Sequence, residues 1–92
     1  WAQYGIRVNC IAPGAIASTG FRQYSPEAVK AFAGANPMKH VGDVQDVAEA
    51  VVYLSAPSGK FITGELLTVD GGGVLWGEAW TIAKPDYFKV NA

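Results

Sequence analysis

The apolar positions of this chain fall into three ordered runs separated by small and turn-forming residues. The first, Ile6 to Ala12, is rich in β-branched and apolar side chains and halts at Pro13-Gly14. A short apolar run bounded by turn formers reads as a buried strand of a parallel sheet. The second run places Val44, Val47, Ala48, Val51 and Leu54/Ser55 at the i, i+3, i+4, i+7 spacing of an amphipathic helix. Gly42-Asp43 opens that helix, with Asp43 as cap, Asp46 favoured by the amino-terminal dipole, and Pro57 as the stop. The third run, Glu65 to Val69, is a second short strand closed by Gly71 to Gly73.

The intervening segments carry their own signals. Trp1 to Tyr4 followed by Gly5 reads as a helix tail with glycine past its end. Ala15 to Gly20 is a loop of small residues. Ser25-Pro26-Glu27 starts a short helix with a hydroxyl cap, proline at the first position and an acid in the first turn. It ends near Gly34, and Asn36-Pro37 breaks the chain again. The tail, 74–92, holds Trp76, Trp80, Tyr87 and Phe88 without a period and contains Pro85, so it reads as irregular. Strand, loop with short helices, helix, strand is one βαβ crossover of an α/β fold. It predicts that Ile6–Ala12 and Glu65–Val69 are parallel neighbours. Two strands alone leave both sheet edges open, which predicts little cooperative stability for the isolated chain.

Composition narrows the partners. Ninety-two residues suffice for one domain, 1–92, and 50% of them are hydrophobic against 16% charged. That balance implies surface meant to be covered. Cys10 is the single cysteine, so no internal disulfide forms, and its strand context predicts an inert buried thiol. No Cys/His cluster offers a metal site. The net charge of -1 without a Lys/Arg run argues against nucleic acid and anionic membranes as partners. No apolar run has the length of a membrane span and no signal peptide is visible, so the expected compartment is cytoplasmic. His40, the one histidine, reads as a surface or capping residue, because no motif supplies it with a Ser or Asp partner.

Candidate chemistry lies at the strand ends. Ligands of open α/β sheets bind outside the carboxyl ends of the strands, which is where Pro13-Gly14 sits. Gly14 has no Cβ and permits close backbone approach. Asn9, inside a strand, needs partners for its amide and reads as scaffold. Asp70 can accept from the N–H groups of the glycines after it. Gly73 to Ala79 nearly spells a G-x-x-x-G-x-G phosphate loop, but it lacks the last glycine and precedes no capped helix, so it is not a nucleotide site.

The string Ile6-Arg7-Val8-Asn9-Cys10-Ile11-Ala12-Pro13-Gly14, with Phe61-Ile62-Thr63-Gly64 through Asp70-Gly71-Gly72, resembles the last third of a short-chain dehydrogenase/reductase. The resemblance implies the carboxyl-terminal piece of a Rossmann-type doubly wound parallel sheet: two strands, a crossover helix and short lid helices. It implies NAD or NADP as cofactor and hydride transfer to or from a carbonyl, alcohol or enoyl group of an apolar small-molecule substrate. A homo-oligomer, tetramer or dimer, comes with it. By the same resemblance Pro13 and Gly14 run past the nicotinamide and Ile16 offers backbone groups to its carboxamide. Ser18 or Thr19 offers a hydroxyl to the pyrophosphate. Phe21, Tyr24 and Met38 face the substrate from a mobile loop, 19–39. The tail resembles a subgroup near 2,4-dienoyl-CoA reductases and citronellol dehydrogenases, although its aromatics fit a subunit interface equally well.

The family's chemistry needs a Tyr followed by Lys four residues later, and a Ser. Tyr4, Tyr24, Tyr53 and Tyr87 are followed at that spacing by Val8, Ala28, Pro57 and Asn91. The glycine-rich cofactor loop is missing as well. The chain alone is therefore expected to be inactive, with no catalytic residue of its own. The alternative is a non-catalytic interaction fragment built from the same fold elements.

Overall fold

A computed structural model describes residues 1–76. Two parallel strand pairs and two helices make up its regular structure. Strand β1 (Cys10–Pro13) pairs in parallel with β4 (Leu66–Val69), in register from Cys10 opposite Leu66 to Pro13 opposite Val69. The crossover between them contains helix α2 (Val44–Ser55), which packs on both strands. This is the expected βαβ unit. A second parallel pair, β2 (Ile16–Ala17) with β3 (Gly42–Asp43), was not legible as strand. Two residues are too few for periodicity to register, and the pairing joins segments far apart in sequence.

The first strand is shorter than expected. Its ladder begins at Cys10, not Ile6, because the facing chain turns at Gly64, a glycine with φ 73. The earlier residues are stitched by one backbone bond, from Gly64 N–H to the Val8 carbonyl at 2.8 Å, and by side chains. Arg7 Nη1 and Asn9 Nδ2 donate to the Ile62 carbonyl at 3.0 and 3.1 Å. Asn9 Oδ1 accepts the Glu65 N–H at 3.0 Å, and Thr63 Oγ1 accepts that of Val8 at 3.1 Å. Asn9 is thus scaffold, as its strand context required.

The strand is not buried either. Ile11 and Ala12 are half-covered, while Cys10 is exposed, which corrects the reading of an inaccessible thiol. The reason is geometric: side chains alternate along a strand, so Cys10 lies on the face opposite Ile11, which lines a hollow with Val51 and Leu54 of α2.

Helix α2 follows its local code closely. Asp43 Oδ1 accepts the Asp46 N–H at 3.0 Å, and Asp46 Oδ2 accepts the Asp43 N–H at 2.8 Å. Asp46 is therefore the second half of a capping box as well as a dipole partner. Its core face is shifted from the expected stripe. Ala50 and Leu54 are buried and Val47 is half-buried, whereas Val44, Ala48 and Val51 are exposed. Ala50 and Leu54 lie one turn apart on the helix, which packs on β1 and β4. Helix α1 (Pro26–Gly34) begins as expected, with Ser25 Oγ accepting the Ala28 N–H at 3.2 Å. Trp1–Tyr4 forms a short 3-10 turn at Ala2–Tyr4, capped by Gly5 at φ 76.

Candidate functional site

The carboxyl ends of β1 and β4 meet at Gly14. Its N–H donates to the Val69 carbonyl at 2.9 Å. A Cβ at Gly14 would stand 2.7 Å from Asp70 Cβ and 2.9 Å from Asp70 Cα. The close approach that requires glycine here is therefore, first, an approach of Asp70. Asp70 is itself fixed: Oδ1 accepts from Gly72 N–H at 2.9 Å and Oδ2 from Val74 N–H at 2.8 Å. Gly71 and Gly72 at φ 64 and φ 86 let the backbone fold back onto the carboxylate.

Beyond Gly14 the chain passes into β2 and then a three-residue turn in which Ser18 N–H donates to the Ile16 carbonyl at 2.8 Å. One backbone group expected to reach a carboxamide thus already holds one bond. A short 3-10 turn, Gly20–Gln23, follows, capped at its end by Tyr24. Phe21 and Tyr24 then meet Phe32 of α1. The three ring centroids lie 5.2 to 5.4 Å apart in T-shaped and tilted pairs.

These segments border an open hollow of about 420 Å³, and its lining joins Pro13, Gly14, Ile16 and Ser18 to Phe21 and Tyr24. Six of the eight expected site residues therefore share one cavity wall. Thr19 lies outside that lining, at the start of the 3-10 turn with no side-chain cap bond. Met38 lines a neighbouring hollow of about 330 Å³ with His40, Asp46 and residues 68–72. Its N–H is bonded to the Gly71 carbonyl at 3.2 Å, which holds it on the β4 side.

The hollow at Gly14 is also lined by Gln23 and by Phe32, an apolar anchor of the 19–39 segment, neither of which was among the expected site residues. Phe32 had a signal: it lies one to two turns into a capped helix whose other sizeable apolar side chain is Val29. What sequence could not show is that α1 folds back onto the turn before it.

A buried amide marks the far end of this segment. Asn36, 7% exposed, donates from Nδ2 to the His40 carbonyl at 3.0 Å and accepts the Lys39 N–H on Oδ1 at 3.0 Å. It supports Lys39 in the left-handed region, φ 64, with Nζ 4.6 Å from the Trp76 ring centroid. His40 is exposed, with Nδ1 2.9 Å from the Val41 carbonyl oxygen. No group of three or more His, Cys, Asp or Glu side chains among the described residues could hold a metal. No helix among them is long and apolar enough to cross a membrane.

The family model described as enoyl-(acyl carrier protein) reductase matches residues 1–73. The chain belongs to the short-chain dehydrogenase/reductase family. It is 41% identical over 80 residues to a glucose 1-dehydrogenase of Gluconobacter oxydans, covering 85% of this chain and 30% of that protein. It is 44% identical over 74 residues to a peroxisomal 2,4-dienoyl-CoA reductase of Saccharomyces cerevisiae, covering 78% of this chain and 25% of the relative. The solved structure of ElxO with NADP bound superposes with a TM-score of 0.72 at 30% identity, covering 80% of this chain and 31% of its own.

This short-chain dehydrogenase/reductase chain thus has the family's Rossmann-like α/β fold and spans about a third of its relatives' length or less. The relatives include both sugar and acyl-CoA enzymes, so the likeness of the tail to dienoyl-CoA reductases does not single out a subgroup. The tail beyond Trp76, including Trp80, Tyr87 and Phe88, lies outside the described residues.

Proposed function

We propose that this chain is the nicotinamide-side wall and substrate flap of an NAD(P)-dependent oxidoreductase. The observation that carries the reading is the single hollow shared by Pro13, Gly14, Ile16 and Ser18 on one side and Phe21 and Tyr24 on the other. A bound nicotinamide supplies the hydride acceptor or donor. The residues present fit such a group: the lining is apolar and small at Gly14 and Ala15, and it offers the Ser18 hydroxyl.

In this reading the β1 end and β2 present backbone to the nicotinamide ring. Ser18, in the lining where Thr19 is not, is the hydroxyl for the pyrophosphate. Phe21 and Tyr24 hold an apolar substrate bearing a carbonyl, alcohol or enoyl group and exclude water from the transfer. Met38 acts from the adjoining hollow, at the edge of the flap formed by 19–39. The proton-handling Tyr/Lys pair comes from outside these 92 residues, since none of the four tyrosines has its Lys. NADP is supported as cofactor by the ElxO structure, and NAD remains the other member of the pair. A 2,4-dienoyl-CoA type of substrate is supported by one relative and by the tail's aromatic run. A cytoplasmic dimer or tetramer completes the proposal, and its mass in solution is read by light scattering.

The test is titration of the full-length protein with NADH and NADPH, followed by turnover at 340 nm with apolar ketones and enoyl thioesters. Binding of one cofactor and oxidation of it by an apolar substrate are expected. Ser18→Ala should weaken that cofactor about tenfold, the loss of a hydrogen bond to a charged group, and Thr19→Ala should leave it unchanged. A full-length protein that binds neither cofactor would end the reading.

A further inference from the structure

We propose that Lys39 is a strap: its ammonium ties the carboxyl end of helix α1 to the turn Gly73–Trp76 after β4, and so makes that end of the flap the fixed one. The inference rests on the oxidoreductase reading only for the use to which the flap is put. Its test needs neither cofactor nor substrate, so the two fail independently.

The backbone supplies the first observation. Lys39, at φ 64, is the one residue other than glycine with a positive φ among the described residues. A Cβ is disfavoured in the left-handed region, which glycine enters without steric cost. The bend is nonetheless held from both sides by one amide. Asn36 Oδ1 accepts the Lys39 N–H, and Asn36 Nδ2 donates to the His40 carbonyl, each at 3.0 Å. Asn36 is the only buried polar side chain among the described residues, and a Cβ at Gly71 would stand 2.7 Å from its Oδ1. An unfavourable backbone held this firmly points to the side chain that it presents.

That side chain joins two segments. Lys39 Nζ donates to the Gly34 carbonyl at 3.2 Å and lies 4.6 Å from the Trp76 ring centroid. Gly34 is the last residue of α1, and the last turn of α1 has no basic residue of its own. The final carbonyls of a helix lack intrahelical donors and carry the negative end of its dipole, so a cation is stabilising there. The face of an indole attracts the same charge. One ammonium thus serves both partners, and neither leaves its place without losing it.

The Trp76 end of the strap is itself anchored. Val74 N–H donates to Asp70 Oδ2 at 2.8 Å, and Gly73 N–H to the Asp70 carbonyl at 3.2 Å. Asp70 in turn lies against Gly14 at the strand ends. The other end of the flap begins at Thr19, which makes no side-chain cap bond. The flap therefore moves from its Thr19 end about a base fixed at Lys39.

The experiment is hydrogen exchange read by mass spectrometry on the unliganded full-length protein. Lys39→Met keeps the stem and removes the charge; it should speed exchange of residues 30–34 about three- to tenfold and leave β1 unchanged. Lys39→Gly relaxes the backbone yet should speed the same amides as much, which separates the strap from a purely structural role of the bend. Lys39→Arg keeps a charge that stacks on aromatic rings and should stay within about twofold of wild type. Trp76→Leu alters the far end of the strap and should still speed residues 30–34, by about threefold. The double variant Lys39→Met/Trp76→Leu should exchange no faster than Lys39→Met, because both changes break one link.

Unchanged exchange of residues 30–34 in Lys39→Met overturns the strap. Wild-type exchange in Lys39→Gly does so too, since backbone geometry would then be the whole role of the residue. An equal rise in β1 reports a general loosening and counts the same way. Acceleration in Lys39→Met without any in Trp76→Leu reduces Lys39 to a helix cap, and additive effects in the double variant give Trp76 a separate route to α1; either result overturns the coupling.

Discussion

Gly14 shows how one residue type serves the fold and the site at the same position. An added Cβ meets Asp70 backbone and Cβ atoms below 3 Å, and neither is the free end of a flexible side chain. Gly14→Val must therefore part the ends of β1 and β4. It should lower the unfolding free energy of the full-length protein by about 1 to 3 kcal/mol, the usual cost of overpacking. It should also weaken cofactor binding, since the displaced strand ends border the hollow. Cys10→Ala, on an exposed thiol, should stay within about 0.5 kcal/mol and leave the cofactor alone. Urea titrations and cofactor titrations of both variants check the ranking, and equal effects would refute it. Pro13-Gly14 was legible as a strand end for chain-local reasons. The contact with Asp70 was not, because its partner lies 56 residues away.

At the scale of elements, two helices with equally clear start signals have different neighbours. Helix α2 is capped from both sides by Asp43 and Asp46 and lies on the sheet. Asp43→Ala removes one half of the box and should cost the full-length protein about 1 kcal/mol by thermal or urea unfolding. Helix α1 buries no side chain fully and is joined to the preceding turn by the Phe21, Tyr24 and Phe32 rings. Segments anchored so lightly open locally at low cost, and lids are drawn from them. Hydrogen exchange on the full-length protein should therefore show Thr19 to Ala35 exchanging well before β1 without ligand, and slowing when cofactor and substrate bind. Asn36 and the bond from Met38 N–H to Gly71 should hold the remainder of 19–39 closer to the strand rate. Uniform protection across β1 and Thr19–Ala35, unchanged by ligand, would remove the lid. The caps were readable because they depend on residues three apart. The face each helix turns to its neighbours was not, and the α2 stripe was displaced toward Ala50 for that reason.

Across the whole molecule the described residues bury little apolar surface. Ala50 and Leu54 are their only buried hydrophobic side chains, while Phe61 is 99% exposed and Leu66 and Val52 are more than half exposed. A core of that size does not offset the backbone entropy of ordering so many residues. The purified 92-residue chain should melt over a broad range without a cooperative transition, as circular dichroism would show. It should oxidise neither NADH nor NADPH with any substrate that the full-length protein accepts. A sharp, two-state melt or cofactor-dependent turnover by the short chain would contradict this.

The family, the α/β order and the positions of the caps were determined by the sequence itself. Each rests on residues adjacent in the chain, such as Ile6 to Gly14, Ser25-Pro26 and Asp43 with Asp46. The tertiary structure alone decided three other things. It shortened the first strand to Cys10–Pro13, because the facing chain bends at Gly64, φ 73, and the regular ladder stops there. It brought Phe32 into the hollow with Ser18 and sent Met38 to another. It left Cys10, Val44, Val51 and Val52 uncovered, because exposure depends on what packs against a side chain and not on the side chain's own hydropathy.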